Sequence, residues 1–481
     1  IGIPSMYGQY SEPKFEALGL MYRLEKVASR LMEDVLSGLK LEYVTAKTLN
    51  NIYQVLTLFR EGMALDGMEN QNFNSNLEMF RYSLSSPSFT LGQYMNIFQF
   101  MALNIKEIIN EYFMRFYDYA LNAVVPQLFD DTKETLLKKS ETFYREVLSS
   151  AFLIQELDQF ITESIDMLRG MLENYSDKYI NNMMTYNPDL TVSSFALPSP
   201  ETDNRVFLGA KAYYLKMLTS YGFPIPPGFV LTTEVFRHRE TVLDHPYMSL
   251  ELESLLLSNI AEIERATGLK FGSRRKPLFL SVRSGTAISL PGAMSTFLNV
   301  GINDEIARAL GENPETAWMA WDSYRRFIQS WGMANGIGRP VFDHLMKEAK
   351  EKHGVSKKAQ FSAEQMRELV DRYREALDVR DVQIHPDPFV QLRQAIATVL
   401  DSWDSERARS YRLHLQIADE WGTAVIIQKM VMGNRSQKSG SGVVFTHNPK
   451  LSKPGVNLYG DFTLCSQGED IVAGLVHTLP I

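Results

Sequence analysis

The feature that most limits what this chain can fold into is a change of texture near residue 187. Before it, apolar residues recur at spacings of three and four, as in Leu20, Leu24, Val27, Leu31 and Val35, or Leu49, Ile52, Leu56 and Phe59. Each set places a stripe on one helical face, the signature of a bundle. A long pattern from Leu91 to Val125 is expected to end at Pro126, and another runs from about Thr132 to Met184. From Asn187 to Asp203 the period stops among Pro188, Pro198, Pro200 and a run of Ser and Thr, which reads as a linker. Beyond it, short β-branched and aromatic runs (Gly228 to Thr232, Leu278 to Arg283, Val425 to Gln428, Gly442 to Thr446) alternate with helical stretches and glycine-containing turns. The expectation is an α+β protein: an all-α helical bundle over 1–186, a linker over 187–203 and a second domain over 204–481. That second domain carries a helical subdomain at about 341–415, whose charged part, 341–380, reads as solvated surface.

A chain of 481 residues exceeds what one hydrophobic core normally serves. With 45% hydrophobic and 22% charged residues it has the composition of an ordinary globular protein. A net charge of −8 argues against chain-wide attraction to nucleic acid or anionic membrane, so any phosphate site must be local. The most apolar stretch, Tyr94 to Val125, is interrupted by Lys106, Glu107, Glu111 and Arg115 and cannot supply about 20 uncharged residues for a membrane span. The lone Cys465 excludes an intrachain disulfide, and a cytoplasmic location is expected. A first residue that is Ile rather than Met, with an abrupt end at Ile481, leads us to expect a piece of something longer.

Several segments could do chemistry. In Phe207-Leu-Gly-Ala-Lys-Ala-Tyr-Tyr-Leu215, Lys211 follows a glycine at an apparent helix start, where free N–H groups and an ammonium together suit phosphate. The strand from Pro277 delivers Arg283 to a loop of Ser284, Gly285, Thr286, Ser289 and Gly292, which offers a forked donor beside small residues that let an anion approach. An ordinary strand-end arginine with a flexible loop fits equally well. Gly433 to Gly442, containing Ser439, Gly440 and Ser441, reads as a hairpin-like loop able to fold over a triphosphate or to remain a mobile tip. Before it, Gln428, Lys429, Met430 and Val431 could offer backbone groups to an adenine edge. After it, Asp461, Gln467 and Glu469 have the oxygen chemistry that nucleotide-bound Mg²⁺ needs, although such a cluster also describes solvated surface.

Taken in order, these pieces resemble the nucleotide-binding domain of the pyruvate phosphate dikinase family. The matching stretches are Leu208-Gly-Ala-Lys-Ala212, Pro226-Pro-Gly-Phe229, Ser281-Val-Arg-Ser-Gly285 with Pro291-Gly292 and Leu298-Asn299, and Trp321-Asp-Ser-Tyr-Arg-Arg-Phe327. Farther on come Trp421-Gly-Thr-Ala-Val425, Phe445-Thr-His-Asn-Pro449 and Ser466-Gln-Gly-Glu-Asp-Ile-Val-Ala-Gly474. The resemblance runs from about Asn204 to the last residue, and the helical bundle has no counterpart in it. It implies a two-lobed, ATP-grasp-like fold clasping ATP and Mg²⁺. In such an enzyme ATP is converted to AMP, and a histidine on a separate domain carries the phosphoryl group to pyruvate. On that likeness Lys211 and Arg283 contact the phosphates and act as the catalytic pair, Gln428 to Val431 line the adenine, and the 433–442 loop covers the phosphates. Asp461 with Gln467 or Glu469 sits near the metal.

None of the eight histidines lies in the family's phosphohistidine context, so the resemblance places the phosphohistidine and acceptor domains beyond Ile481. Four positions depart from the family pattern: Ala287, His447 and Val476 stand where arginines are usual, and Asp461 where a glutamate is. Three functions remain open at this point: the ATP-binding half of a dikinase, a nucleotide-sensing or docking module without turnover, and a dikinase acting on another acceptor such as a glucan or an antibiotic.

Overall fold

The computed structural model describes the whole chain except residues 1, 6–7, 12, 40, 42, 85–88, 129–132, 449, 451–454, 473 and 475. It divides into two compact units, Ile1–Pro188 and Asp189–Ile481.

In the first unit a short antiparallel pair, Gly2–Ser5 with Gly8–Ser11, precedes a series of helices. Their starts are written in the sequence: Thr45, Asn70, Thr90 and Ser176 each accept a backbone N–H from the first turn of the helix that follows. Leu49, Ile52, Leu56 and Phe59 of the Ala46–Leu65 helix are buried, and Phe80 packs edge-on against Tyr94 and Phe98. The stripe on the Pro13–Ser37 helix behaves differently. Leu20, Leu24, Val27, Leu31 and Val35 are 39–62% exposed, and this helix buries Met32 instead. Helical spacing decides which residues share a face, not whether that face finds a partner. Two boundaries also differ from expectation. The Arg115–Leu128 helix runs two residues past Pro126. The pattern from Thr132 to Met184 resolves into three helices, Lys133–Ser149, Ile154–Asn174 and Asp177–Thr185, the second entered through a left-handed Leu153.

The second unit is built on a five-stranded, wholly antiparallel sheet. Its order is Val192–Ser194, Gly228–Leu231, Ala424–Lys429, Leu280–Gly285, Thr296–Val300. The inner strands are buried along almost their whole length, which explains why they read as continuous apolar runs rather than alternating ones. On one face Val230, Ala424 and Ile426 pack against Leu208 and Ala212 of the Arg205–Ser220 helix. The outermost strand, Val192–Ser194, lies within the 187–203 stretch expected as a linker. Ser193 and Asp203 from that stretch hold the buried Lys216 ammonium at 2.7 and 2.5 Å.

A second sheet joins Gly440–Phe445, Tyr459–Leu464 and Leu479–Pro480, again antiparallel. The segment from Gly433 to Gly442 therefore connects strands of two different sheets and is not a hairpin. The charged 341–380 region is also more than surface. The Arg339–His353 and Ala363–Asp378 helices bury Phe342, Met366, Leu369, Val370 and Tyr373, while their charges face outward.

Gly209 sets the approach of helix to sheet. Its φ of +73° breaks the Arg205–Ser220 helix so that the Ala210 N–H can donate to Thr286 O at 2.9 Å. A Cβ there would lie 2.2 Å from Gly285 O. Gly209→Ala is expected to cost roughly 2 kcal/mol or more, combining left-handed strain with a backbone clash. Gly222, also at positive φ but with no heavy atom within 4 Å of the Cβ position, should lose only about 1 kcal/mol on the same change. Urea unfolding of the two variants checks the difference, and equal midpoints would contradict it.

Candidate functional site

In the central sheet Arg283 pairs with Ile426, and Ser281 with Gln428. Opposed residues of an antiparallel pair share a face, so Arg283 and Gln428 emerge on the side covered by the Arg205–Ser220 helix. That helix carries Lys211 in the turn after the Gly209 break, and Lys211 and Arg283 come close enough for their charges to interact. Lys211 is exposed by area, yet surrounding protein and, secondarily, the Arg283 cation lower its pKa from the ordinary lysine value. Burial likewise lowers Arg283. One end of its guanidinium donates to Gln428 Oε1, whose own Nε2 is fixed on Pro226 O at 2.9 Å. The Arg283 Nε is buried without a partner. Among the described residues neither cation has a carboxylate within salt-bridge distance. Two adjacent cations with an unused buried donor make a place where an anion is stabilised and water is a poor substitute.

The expected adenine-side residues follow directly. Gln428 is committed to Arg283 and Pro226. The N–H groups of Lys429 and Met430 donate to Pro227 O and Phe279 O, both at 2.9 Å, so these two backbone donors are occupied. Val431 is exposed, and its N–H has no partner among the described residues. In the connecting segment, Ser441 Oγ donates to Ser466 O, Ser439 Oγ meets Ser436 Oγ, and Gly440 begins the strand that pairs with Leu464.

Of the residues expected at a metal, Asp461 sits on the Tyr459–Leu464 strand opposite Val443. Gln467 and Glu469 belong to a different assembly, one to which sequence reasoning gave no role. Its centre is the Pro314–Ala334 helix, where Trp321 to Ile328 are all buried although the run contains Asp322, Arg325 and Arg326. Asp322 accepts from Arg325 at 2.9 and 3.1 Å, from Arg326 at 3.0 Å and from Asn434 at 2.9 Å. Arg326 reaches on to Asp470 through two hydrogen bonds and lies 3.4 Å from Glu469. Lys358 stands between the two aspartates, 3.4 Å from Asp322 and 3.1 Å from Asp470. Burial alone would raise both carboxyls; Arg326 and Lys358, with Arg325 at Asp322, outweigh it and hold them well below the carboxylate range. Burial also opposes the Arg326 charge, and Asp322 and Asp470 more than offset it. The available signal was the Asp-x-x-Arg-Arg spacing inside an apolar helical run, which puts like and unlike charges on one buried face.

Among the described residues no three His, Cys, Asp or Glu side chains gather as a metal cluster. A magnesium ion that arrives on a triphosphate asks for only one or two protein oxygens. Gln467 fits that demand: its Oε1 has one long contact, the Gly433 N–H at 3.4 Å. Glu469, half exposed beside Arg326, has less freedom. Of the positions that depart from the family pattern, Ala287 and Val476 are half-buried and His447 is exposed. Within the recognition motifs, Pro449 and Ala473 lie outside the described residues.

Residues 239–478 match the family described as the AMP/ATP-binding domain of pyruvate phosphate dikinase. Residues 239–478 thus carry a nucleotide-binding domain of the pyruvate phosphate dikinase family. It is 39% identical over 276 residues to pyruvate, phosphate dikinase of Rhizobium meliloti, covering 57% of this chain and 30% of that protein. The chloroplastic enzyme of Mesembryanthemum crystallinum is 40% identical over 271 residues, or 56% of this chain and 28% of the relative. The Clostridium symbiosum enzyme is 36% identical over 282 residues, or 58% and 32%. The chain thus spans about a third of the length of these relatives or less. Among the described residues no helix is long and apolar enough to cross a membrane.

Removing one charge from the buried assembly leaves its partners uncompensated, at about 3–5 kcal/mol. Asp470→Asn should lower the unfolding free energy by that amount at pH 7. Because the folded pKa of Asp470 is depressed, its contribution is complete above the unfolded value near 4 and is lost as pH falls toward the folded one. The variant should therefore show a shallower acid dependence below about pH 4. Unfolding at pH 7 like that of the parent would contradict this account.

Proposed function

We propose that the second unit binds Mg²⁺-ATP at Lys211 and Arg283 and presents it for phosphoryl transfer, as the ATP-binding half of a dikinase-type phosphotransferase. The observation that carries this reading is the pairing of two cations with no carboxylate partner among the described residues, one with a buried, unused Nε, at the junction of helix and sheet. Phosphoryl transfer asks a protein mainly for positioning and charge neutralisation, which these groups supply. The guanidinium, held from one side by Gln428, turns its remaining donors to phosphate oxygens, and the Lys211 ammonium adds a point charge beside it. The free N–H of the exposed Val431 suits an acceptor on the adenine edge. Asp461 and Gln467 are the oxygens of the right chemistry for the metal, which when bound would neutralise the triphosphate. The two lobes of an ATP-grasp-like arrangement correspond to the five-stranded and three-stranded sheets joined by the 433–442 segment. None of the eight histidines stands in a phosphohistidine context, so the phosphoryl acceptor is a histidine on a domain outside these 481 residues. The relatives' names point to pyruvate as the final acceptor.

Calorimetry with ATP and Mg²⁺ tests the reading. Micromolar affinity, about −8 kcal/mol, is expected. Arg283→Ala and Lys211→Ala should each weaken it roughly ten- to hundredfold, the worth of a charge-assisted phosphate bond. No heat at millimolar nucleotide, or two variants that bind like the parent, would overturn the assignment. The missing arginines give a second test: if they served the phosphates, restoring Arg at 287, 447 and 476 in the full-length protein raises ATP-to-AMP turnover. If turnover does not rise, those positions serve another surface.

A further inference from the structure

The buried assembly contains a chain of hydrogen bonds whose direction is fixed from one end. A carboxylate can only accept. Asp322, fully buried, therefore requires the Nδ2 of Asn434 to face it, and does so at 2.9 Å. That orientation turns Asn434 Oδ1 the other way, where it can only accept, and Gln467 Nε2 donates to it at 3.1 Å. Gln467 then turns its carbonyl oxygen to the first residue of the glycine-rich segment, where among the described residues its one contact is the Gly433 N–H at 3.4 Å, while its Nε2 also reaches Met432 Sδ at 3.6 Å. All three side chains are at least nine-tenths buried, so solvent cannot repair a wrong orientation. Arg325, Arg326 and Lys358 keep the Asp322 carboxylate ionised, so the direction is maintained at neutral pH.

We infer that Asp322 and Asn434 are positioning residues, which hold the Gln467 amide with its oxygen turned to the start of the Gly433–Gly442 segment, where it can meet a cation carried by a nucleotide. This rests on the nucleotide-binding reading above. It assigns a function to the buried Asp322 and Asn434 that neither the family resemblance nor the phosphate site requires. With the relay intact, the oxygen is set before the cation arrives. Without it, the amide keeps only the two long contacts to Gly433 and Met432 to define its orientation, and a partner of this kind behind a metal ligand commonly governs about ten- to hundredfold in metal affinity.

The experiment measures ATP affinity by calorimetry, in excess EDTA and in Mg²⁺, for the parent, Asn434→Ala, Gln467→Ala and the double variant. Thermal melting confirms folding, and Asn434→Ser replaces Asn434→Ala if the latter does not fold. The parent should bind ATP more tightly with Mg²⁺. Asn434→Ala should reduce that enhancement about ten- to hundredfold, well beyond any change in metal-free affinity, and the double variant should lose no more than Gln467→Ala does. A parent without ATP affinity removes the functional reading, and this inference with it. A parent that binds and responds to Mg²⁺, alongside an Asn434→Ala or Asn434→Ser that responds equally or a double variant whose losses add, overturns the relay alone.

Discussion

The second unit depends on the enclosure of Asp322 among Arg325, Arg326 and Lys358. Burying an ion is expensive, and attraction offsets the cost only when the partners are held in good geometry with their remaining donors and acceptors satisfied. Here that condition draws together segments far apart in sequence. The Pro314–Ala334 helix supplies three of the charges, the turn at Lys358–Gln360 a fourth, and the Gly468–Val472 helix two more, Glu469 and Asp470. The loop after the central strand contributes Asn434. None of these segments can move far without stranding a charge, so the network fixes where the three-stranded sheet begins.

The proposed phosphate site follows a different logic. Lys211 and Arg283 are left short of counter-charge, and both are less readily protonated than usual. The same domain thus neutralises its charges completely in one place and leaves them unbalanced in another. The contrast separates structural cations from those available to a ligand. Adjacent Arg325 and Arg326 look like better phosphate ligands in the sequence than Lys211 does, yet their donors are already taken.

Much of this was legible without coordinates. Strand runs such as Val425 to Gln428 stand out because an inner strand covered on both faces must be apolar throughout, and the closeness of Lys211 to Arg283 is implied by the order of the family's motifs. What stayed hidden was pairing at a distance. Nothing local says that Ser193, in a proline-rich stretch, sits at a sheet edge holding Lys216, or that Gly433 to Gly442 passes between two sheets. The stripe on the Pro13–Ser37 helix shows the opposite limit, since periodicity identifies a face and cannot say what lies against it. Gln467 and Glu469 were seen as oxygens but not as members of an ionic network, because Glu469 meets Arg326 from 143 residues away and Gln467 joins it only through Asn434, whose own carboxylate partner Asp322 lies 112 residues upstream.

The order of strands in the main sheet carries a consequence for the way the domain comes into being. Its middle strand, Ala424–Lys429, lies between Gly228–Leu231 and Leu280–Gly285, yet it is made about 140 residues after the later of them. A growing chain therefore holds two hydrophobic strands with a gap between them until residue 429 has left the ribosome. Pairings this distant in sequence form slowly, and the unpaired edges meanwhile invite association with other chains. The helices from Asp304–Gly311 to Glu406–His414 are made in the interval. Closure of the sheet is then a late event in biosynthesis, and it brings Gln428 to Arg283, so the proposed anion site is complete only at that moment.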